Sequence, residues 1–117
     1  MQIQLTDHEL HVLADTLARH NRHLAHEIAQ TDDREFRHML QNTLDVLTTV
    51  QNHLATGELK LSSEEGRALA EALDRSERAL SIEIAHTENR DFRHMLHDDL
   101  DELTGAHFKI ARTIGRA

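Results

Sequence analysis

The sequence contains no cysteine, proline, tryptophan or tyrosine, and it has only three phenylalanines and four glycines among its 117 residues. Without cysteine, the chain has no disulfide scaffold, no cysteine-ligated zinc and no thiol nucleophile. The absence of proline and the scarcity of glycine leave long helices uninterrupted, and the scarcity of aromatic residues disfavours strands. These absences predict an all-α protein.

Targeting segments and an excess of positive charge are also lacking. Residues 1–7 have neither the basic nor the apolar region of a secretory signal, and no stretch approaches the roughly 18 consecutive apolar residues of a membrane helix. The net charge is −8 with neutral histidines, whereas binding to nucleic-acid phosphates requires an excess of lysine and arginine. We therefore expect a cytoplasmic protein that binds neither nucleic acid nor a membrane.

The chain is internally duplicated with an offset of 56 residues. Residues 5–55 match residues 61–111 at 23 of 51 positions. The similarity is strongest between residues 27–40 and 83–96, where 10 of 14 positions are identical. Each repeat also opens with a Thr/Ser-x-x-Glu capping box, which is typical of a helix start. The sequence therefore contains two copies of one helical unit.

Helical phase decides whether each unit is one long helix or a hairpin. No glycine or proline interrupts the units at Thr31–Asp33 or at the equivalent Thr87–Asn89, so a continuous helix is the alternative. Leu13 and Phe36, however, are 23 residues apart, which separates them by about 140° on a helix that turns about 100° per residue. A reversal of the chain lets both apolar stripes of a unit face one core, and this favours hairpins.

We predict a single domain, residues 1–117, in which two duplicated helical hairpins form an antiparallel up-down-up-down four-helix bundle. The first hairpin repeat spans about residues 5–57 and the second about residues 61–115. Facing positions across the turns predict three apolar core layers. The layers consist of Leu24, Leu40, Leu80 and Leu96; of Leu17, Leu47, Leu73 and Leu103; and of Leu13, Val50, Leu69 and Ala106.

Two further layers carry polar side chains that we expect the bundle to bury. One layer contains His20, Thr43, Ser76 and Asp99. The other, nearest the turns, contains Glu27, Phe36, Glu83 and Phe92. His20 is expected to pair with Asp99, and Arg37 and Arg93 are the expected partners of the two glutamates. We interpret the polar residues as determinants of register, and the functional alternative is a proton-responsive or ligand-binding pocket.

Metal sites are a further alternative. Glu27 with Glu35-x-x-His38, and the equivalent Glu83 with Asp91-x-x-His94, resemble the ligand pattern of ferritin-like di-metal bundles. Helical phase directs both histidines to solvent, however, so we predict no metal and no cofactor. A weaker candidate is an exposed set on the last helix, formed by His94, His97, Asp98 and Asp101.

The end of the bundle that carries both turns, here called the turn end (residues 27–40 and 83–96), is the predicted partner-facing surface. Its basic residues are Arg34, Arg37, His38, Arg90, Arg93 and His94. Interleaved acids are expected to neutralise part of this charge, as in an Asp33–Arg37 pair. A second candidate surface for self-association consists of Phe108, Ile82 and Val12.

Catalytic arrangements are not recognisable, because no serine has a base and an orienting partner nearby in sequence and no phosphate-binding loop is present. We therefore expect a non-catalytic protein-interaction or adaptor module with a protein partner or self-association. The alternative is a metal- or pH-responsive binding bundle. Protonation of all 11 histidines would change the net charge from −8 to −8 + 11 = +3.

Overall fold

The computed structural model describes residues 2–57 and 59–115. Its elements are β1 (Gln2–Ile3), α1 (Asp7–Gln30), α2 (Arg34–Ala55), β2 (Leu59–Lys60), α3 (Ser63–His86) and α4 (Arg90–Ile114). The four helices pack as a compact bundle, so the predicted all-α four-helix fold is confirmed. The predicted domain of residues 1–117 also includes Met1, Glu58, Arg116 and Ala117, which lie outside the described residues.

Both hairpin turns are three residues long and need no glycine. Thr31 ends α1 in extended backbone, and Asp33 Oδ1 accepts a hydrogen bond from Phe36 N (2.9 Å) at the start of α2. In the second hairpin, Asn89 Oδ1 accepts from Phe92 N (2.9 Å) in the same way. Because each cap satisfies a free amide at a helix start, the chain reverses sharply at the predicted position in both repeats.

The capping boxes form at the other end of each hairpin. Glu9 N donates to Thr6 Oγ1 (3.0 Å), and Thr6 N donates to Glu9 Oε1 (2.8 Å). Ser62 and Glu65 make the equivalent pair of bonds at the start of α3 (3.1 and 2.7 Å). These reciprocal bonds fix where α1 and α3 begin.

The predicted leucine layers form the core. All 12 of their residues are buried, and Leu13, Leu47, Val50, Leu69 and Leu103 have no exposed surface. The helical spacing of apolar residues within each repeat therefore identified the buried face of every helix.

The segment between the two hairpins contributes a strand. β1 and β2 pair antiparallel, with Ile3 opposite Leu59. Ile3, Leu59 and Leu61 are buried and close the end of the core that lies opposite the turns. A two-residue strand carries no detectable alternation of apolar and polar residues, which explains why the sequence analysis missed it.

A buried carboxylate joins the first helix to the last. Glu9 Oε1 accepts a hydrogen bond from Lys109 Nζ (2.7 Å) in addition to its bond with Thr6. Burial alone raises the pKa of the Glu9 carboxyl, but the hydrogen bonds and the charge of Lys109 more than offset this effect and hold the pKa below its usual value. Gly105 leaves room for the carboxylate, since a Cβ there would lie 3.4 Å from Glu9 Oε2.

One polar pair joins the two helices of each hairpin at equivalent positions. Asn21 Nδ2 donates to Gln51 Oε1 (2.9 Å) in the first hairpin. In the second, His107 Nδ1 lies 2.9 Å from Glu77 Oε2. Both members of the second pair follow those of the first by 56 residues. The two hairpins therefore share their register although these side chains differ.

Among the residues that the structure describes, Gly57 is the one position where the backbone requires glycine, because its φ is +82°. We expect Gly57→Ala to lower the free energy of unfolding by about 1 kcal/mol, since a Cβ disfavours the left-handed conformation. Gly115→Ala is the matched control, because Gly115 has a φ of −64°. That variant should be neutral or gain up to about 0.5 kcal/mol. Urea denaturation measures both, and equal effects would contradict the assignment.

Candidate functional site

Four large apolar side chains are exposed at the turn end: Phe36, Met39, Phe92 and Met95. We call them the turn-end apolar set. Between 38% and 55% of each residue's surface is exposed. Phe36 and Phe92 occupy equivalent positions in the two repeats, and so do Met39 and Met95. The turn end therefore presents the same apolar pair twice.

The prediction that Phe36 and Phe92 fill a core layer is wrong. The facing positions on α1 and α3 carry Glu27, which is half-buried, and Glu83, which is exposed. In the described part of the chain, the backbones of α1 and α3 approach each other across the bundle, whereas those of α2 and α4 stay further apart. Phe36 and Phe92 are 38% and 40% exposed, so part of each residue stays in solvent.

The sequence analysis did not select the two methionines, although a signal was present. Met39 follows Phe36 by three residues and lies in the stretch of strongest internal similarity. Residues three apart share one face of a helix. The signal is a pair of identical apolar residues at this spacing in both repeats, outside the three core layers. This pattern would have identified the turn-end apolar set.

The predicted basic residues lie at the same end of the bundle as the apolar set. Five of the six are exposed and Arg93 is half-buried. Arg34, Arg37 and His38 line a shallow groove of about 710 Å³ on the first hairpin, together with Ile28, Glu35 and Gln41. The structure therefore places the basic residues where the sequence had placed them, on the surface of the turn end.

None of the four turn-end arginines forms an ion pair within residues 2–57 and 59–115. The expected Asp33–Arg37 pair is absent because the carboxylate of Asp33 caps α2 instead. Arg37 and Arg93 likewise do not pair with Glu27 and Glu83. Elsewhere on α1 and α3, three arginines pair with a carboxylate four residues earlier: Arg19 with Asp15, Arg75 with Glu71, and Arg78 with Asp74.

A cleft of about 510 Å³ lies between α1 and α3. Equivalent residues of the two repeats line it: Arg19 and Arg75, His20 and Ser76, Leu24 and Leu80, and Glu27 and Glu83. The cleft thus brings together four of the six predicted polar residues, drawn from both predicted polar layers. These residues are half-buried or exposed, so the prediction of a buried polar layer is wrong.

The other two predicted polar residues lie outside this cleft. Thr43 lines a smaller adjacent cavity of about 160 Å³ that also includes His20. Its hydroxyl donates to the carbonyl oxygen of Met39 (3.2 Å). Asp99 is half-buried, and no hydrogen bond or ion pair links it to His20 in the described chain. The predicted His20–Asp99 pair is therefore wrong.

His20 is the most perturbed group of the cleft. Its Nδ1 atom is buried and has no hydrogen-bond partner in the described chain. Burial lowers the pKa of His20, and the charges of Arg75 and His23 lower it further. The Asn21 side chain and the charge of Glu27 act in the opposite direction but do not cancel the effect. The imidazole is consequently held in its neutral form.

Residues 2–57 and 59–115 contain no group of three or more histidine, cysteine, aspartate or glutamate side chains arranged to hold a metal ion. The surface candidate His94, His97, Asp98 and Asp101 is therefore not supported. His38 and His94 are both exposed, as helical phase predicted. The ferritin-like set consequently does not assemble either.

No protein-family model, curated protein or solved structure matches this chain. Within the described residues, no helix combines the length and the apolar character needed to cross a bilayer. The functional interpretation therefore depends on the surfaces described above.

We expect His20 to make the stability of the protein depend on pH. Its usual pKa of about 6.5 applies to the unfolded chain, and its pKa in the folded chain is lower. The unfolded chain therefore takes up a proton first, so the stability due to neutral His20 is complete above about pH 6.5 and is lost as the pH falls toward the folded-state value.

The variant His20→Gln should consequently lose less stability than the wild type between about pH 7 and about pH 5. Urea denaturation at both pH values measures the difference. His11→Gln, which removes an exposed imidazole from the same helix, serves as the control. An unchanged pH dependence in His20→Gln would show that His20 is not the responsible group.

Proposed function

We propose that this chain is a non-catalytic protein-interaction module that binds a protein partner on its turn end. The observation that carries the proposal is the turn-end apolar set, in which the same phenylalanine and methionine are exposed in both repeats. Four of the six large apolar residues that the described chain exposes belong to this set. Exposed apolar side chains concentrated at one end favour a binding surface over scattered surface positions.

The chemistry of the turn end suits a protein partner. Phenylalanine, methionine and arginine are enriched in the centres of protein interfaces. Methionine also adapts its flexible side chain to the surface that it meets. A partner surface that combines an apolar centre with charges of both signs would match the turn end, where the arginines form no ion pair within the described part of the chain.

Other classes of ligand fit less well. The net charge of −8 opposes binding to nucleic-acid phosphates, and the arginines of the turn end are interleaved with acids rather than gathered in a basic patch. Activity in the cytoplasm, as expected from the sequence, is part of the same proposal.

A second candidate function is a proton-responsive binding bundle, which His20 favours. Its Nδ1 is buried without a hydrogen-bond partner in the described chain, and His20 lines a cleft that also contains Glu27 and Glu83. Protonation would place a charge beside these carboxylates and alter the cleft. The pH dependence described above for His20→Gln tests the first requirement of this function.

Site-specific photo-crosslinking tests the interaction module. Phe92 is replaced by photoreactive benzoyl-phenylalanine in cells that express the chain, and irradiation should give a covalent adduct with a protein. Phe108 is the matched control, because it is on the same helix and is more exposed than Phe92 (64% against 40%).

We expect an adduct at position 92 and little or none at position 108, with mass spectrometry of the adduct to identify the bound protein. Equal labelling at both positions would indicate random collisions. The absence of an adduct at position 92 would count against the turn end as a binding surface.

A further inference from the structure

We propose that the protein bound at the turn end is a second copy of this chain, docked so that the two turn ends face each other. The inference rests on the proposed function and adds the identity of the partner. Three observations carry it: the duplication of the apolar set, the charge balance of the turn end, and the arrangement of the other exposed apolar residues.

The duplication makes the turn end self-complementary. In a two-fold symmetric dimer the same patch of both subunits meets itself. Phe36 and Met39 stand at the start of α2 as Phe92 and Met95 stand at the start of α4. A second copy can therefore place either of its apolar pairs against either pair of the first, and apolar surface is covered in both cases.

The charge of the turn end permits contact between like copies. The turn end (residues 27–40 and 83–96) carries four arginines and seven acids, a sum of +4 − 7 = −3. The arginines are Arg34, Arg37, Arg90 and Arg93, and the acids are Glu27, Asp32, Asp33, Glu35, Glu83, Glu88 and Asp91. Both signs of charge are therefore present on this end, so the acids of one copy can face the arginines of another.

The turn-end arginines can also form ion pairs with the carboxylates of a partner. They form no ion pair inside the described chain, whereas Arg19, Arg75 and Arg78 are already paired. A second copy thus supplies both charges that the turn end leaves unmatched.

The alternative self-association surface does not form one patch. Val12 is buried, which contradicts its predicted exposure, and Arg112 lies 5.7 Å from the centre of the Phe108 ring. Ile82 precedes the end of α3 by four residues, whereas Phe108 follows the start of α4 by 18. At about 1.5 Å per residue the two are about 21 Å apart along the bundle.

Analytical ultracentrifugation of the purified chain over a concentration series tests the dimer. We expect a mass that rises from that of one 13.4 kDa chain to that of two. Met39→Glu with Met95→Glu should raise the dimer dissociation constant roughly tenfold or more. The matched control, Ile82→Glu with Phe108→Glu, introduces the same charge at exposed sites and should leave the dissociation constant close to that of the wild type.

Charge reversal adds a test that misfolding cannot imitate. Arg34→Glu with Arg90→Glu changes the turn-end sum to −3 − 4 = −7, and Glu35→Arg with Asp91→Arg changes it to −3 + 4 = +1. Each variant alone should dimerise more weakly than the wild type, and an equimolar mixture should form a mixed dimer. Circular dichroism verifies that all variants are folded.

A chain that stays monomeric at every concentration would overturn this inference, as would a dimer that the Met39→Glu and Met95→Glu pair does not weaken. If position 92 still crosslinks to a different protein in cells, the interaction module stands and only the identity of its partner is wrong. If the chain is monomeric and position 92 captures nothing, both proposals fail.

Discussion

Two reversals of three residues each, at Thr31–Asp33 and Thr87–Asn89, are the constraint on which the rest of the molecule depends. A continuous helix would direct the apolar stripes of each repeat about 140° apart, and neither stripe alone could build a core. The sharp reversal brings both stripes to one side, so that two hairpins can close over a shared interior. Because the reversals are equivalent in sequence, both lie at the same end of the bundle, and the surfaces of that end are duplicated with them.

Sequence reasoning predicted the features that depend on local periodicity. It did not predict the contacts between segments that are distant in the chain. Leucines such as Leu47 and Leu103 were assigned to the core because helical spacing determines which face is buried, and the caps were visible as short motifs. The Glu9–Lys109 contact spans 100 residues, which no local pattern reveals. The exposure of Phe36 was missed for a related reason, since it depends on how the four helices pack and not on the spacing within α2.

The two repeats differ at a position that several side-chain pairs can satisfy, and they agree at some exposed positions where packing requires little. Asn21 and Gln51 in one hairpin correspond to Glu77 and His107 in the other, because any pair that can hydrogen-bond fills that position. The exposed methionines of the turn end are identical in both repeats, yet side chains more than half exposed gain little from burial within their own chain. The stability of the fold explains why the hydrogen-bonding pairs can differ between the repeats. It does not explain why the exposed methionines are identical.

The positions of Arg34 and Arg90 strengthen this distinction. Each is the first residue of its helix, where the positive end of the helix dipole disfavours a cation by about 0.3–1 kcal/mol. Neither arginine gains an ion pair within the described chain that would offset this cost. An arginine that interacts unfavourably with the dipole of its own helix in both repeats is better explained by a contact outside the chain. The caps from Asp33 and Asn89 fix the backbone beneath these arginines and the neighbouring phenylalanines, so a partner bound there would meet a backbone that is already ordered.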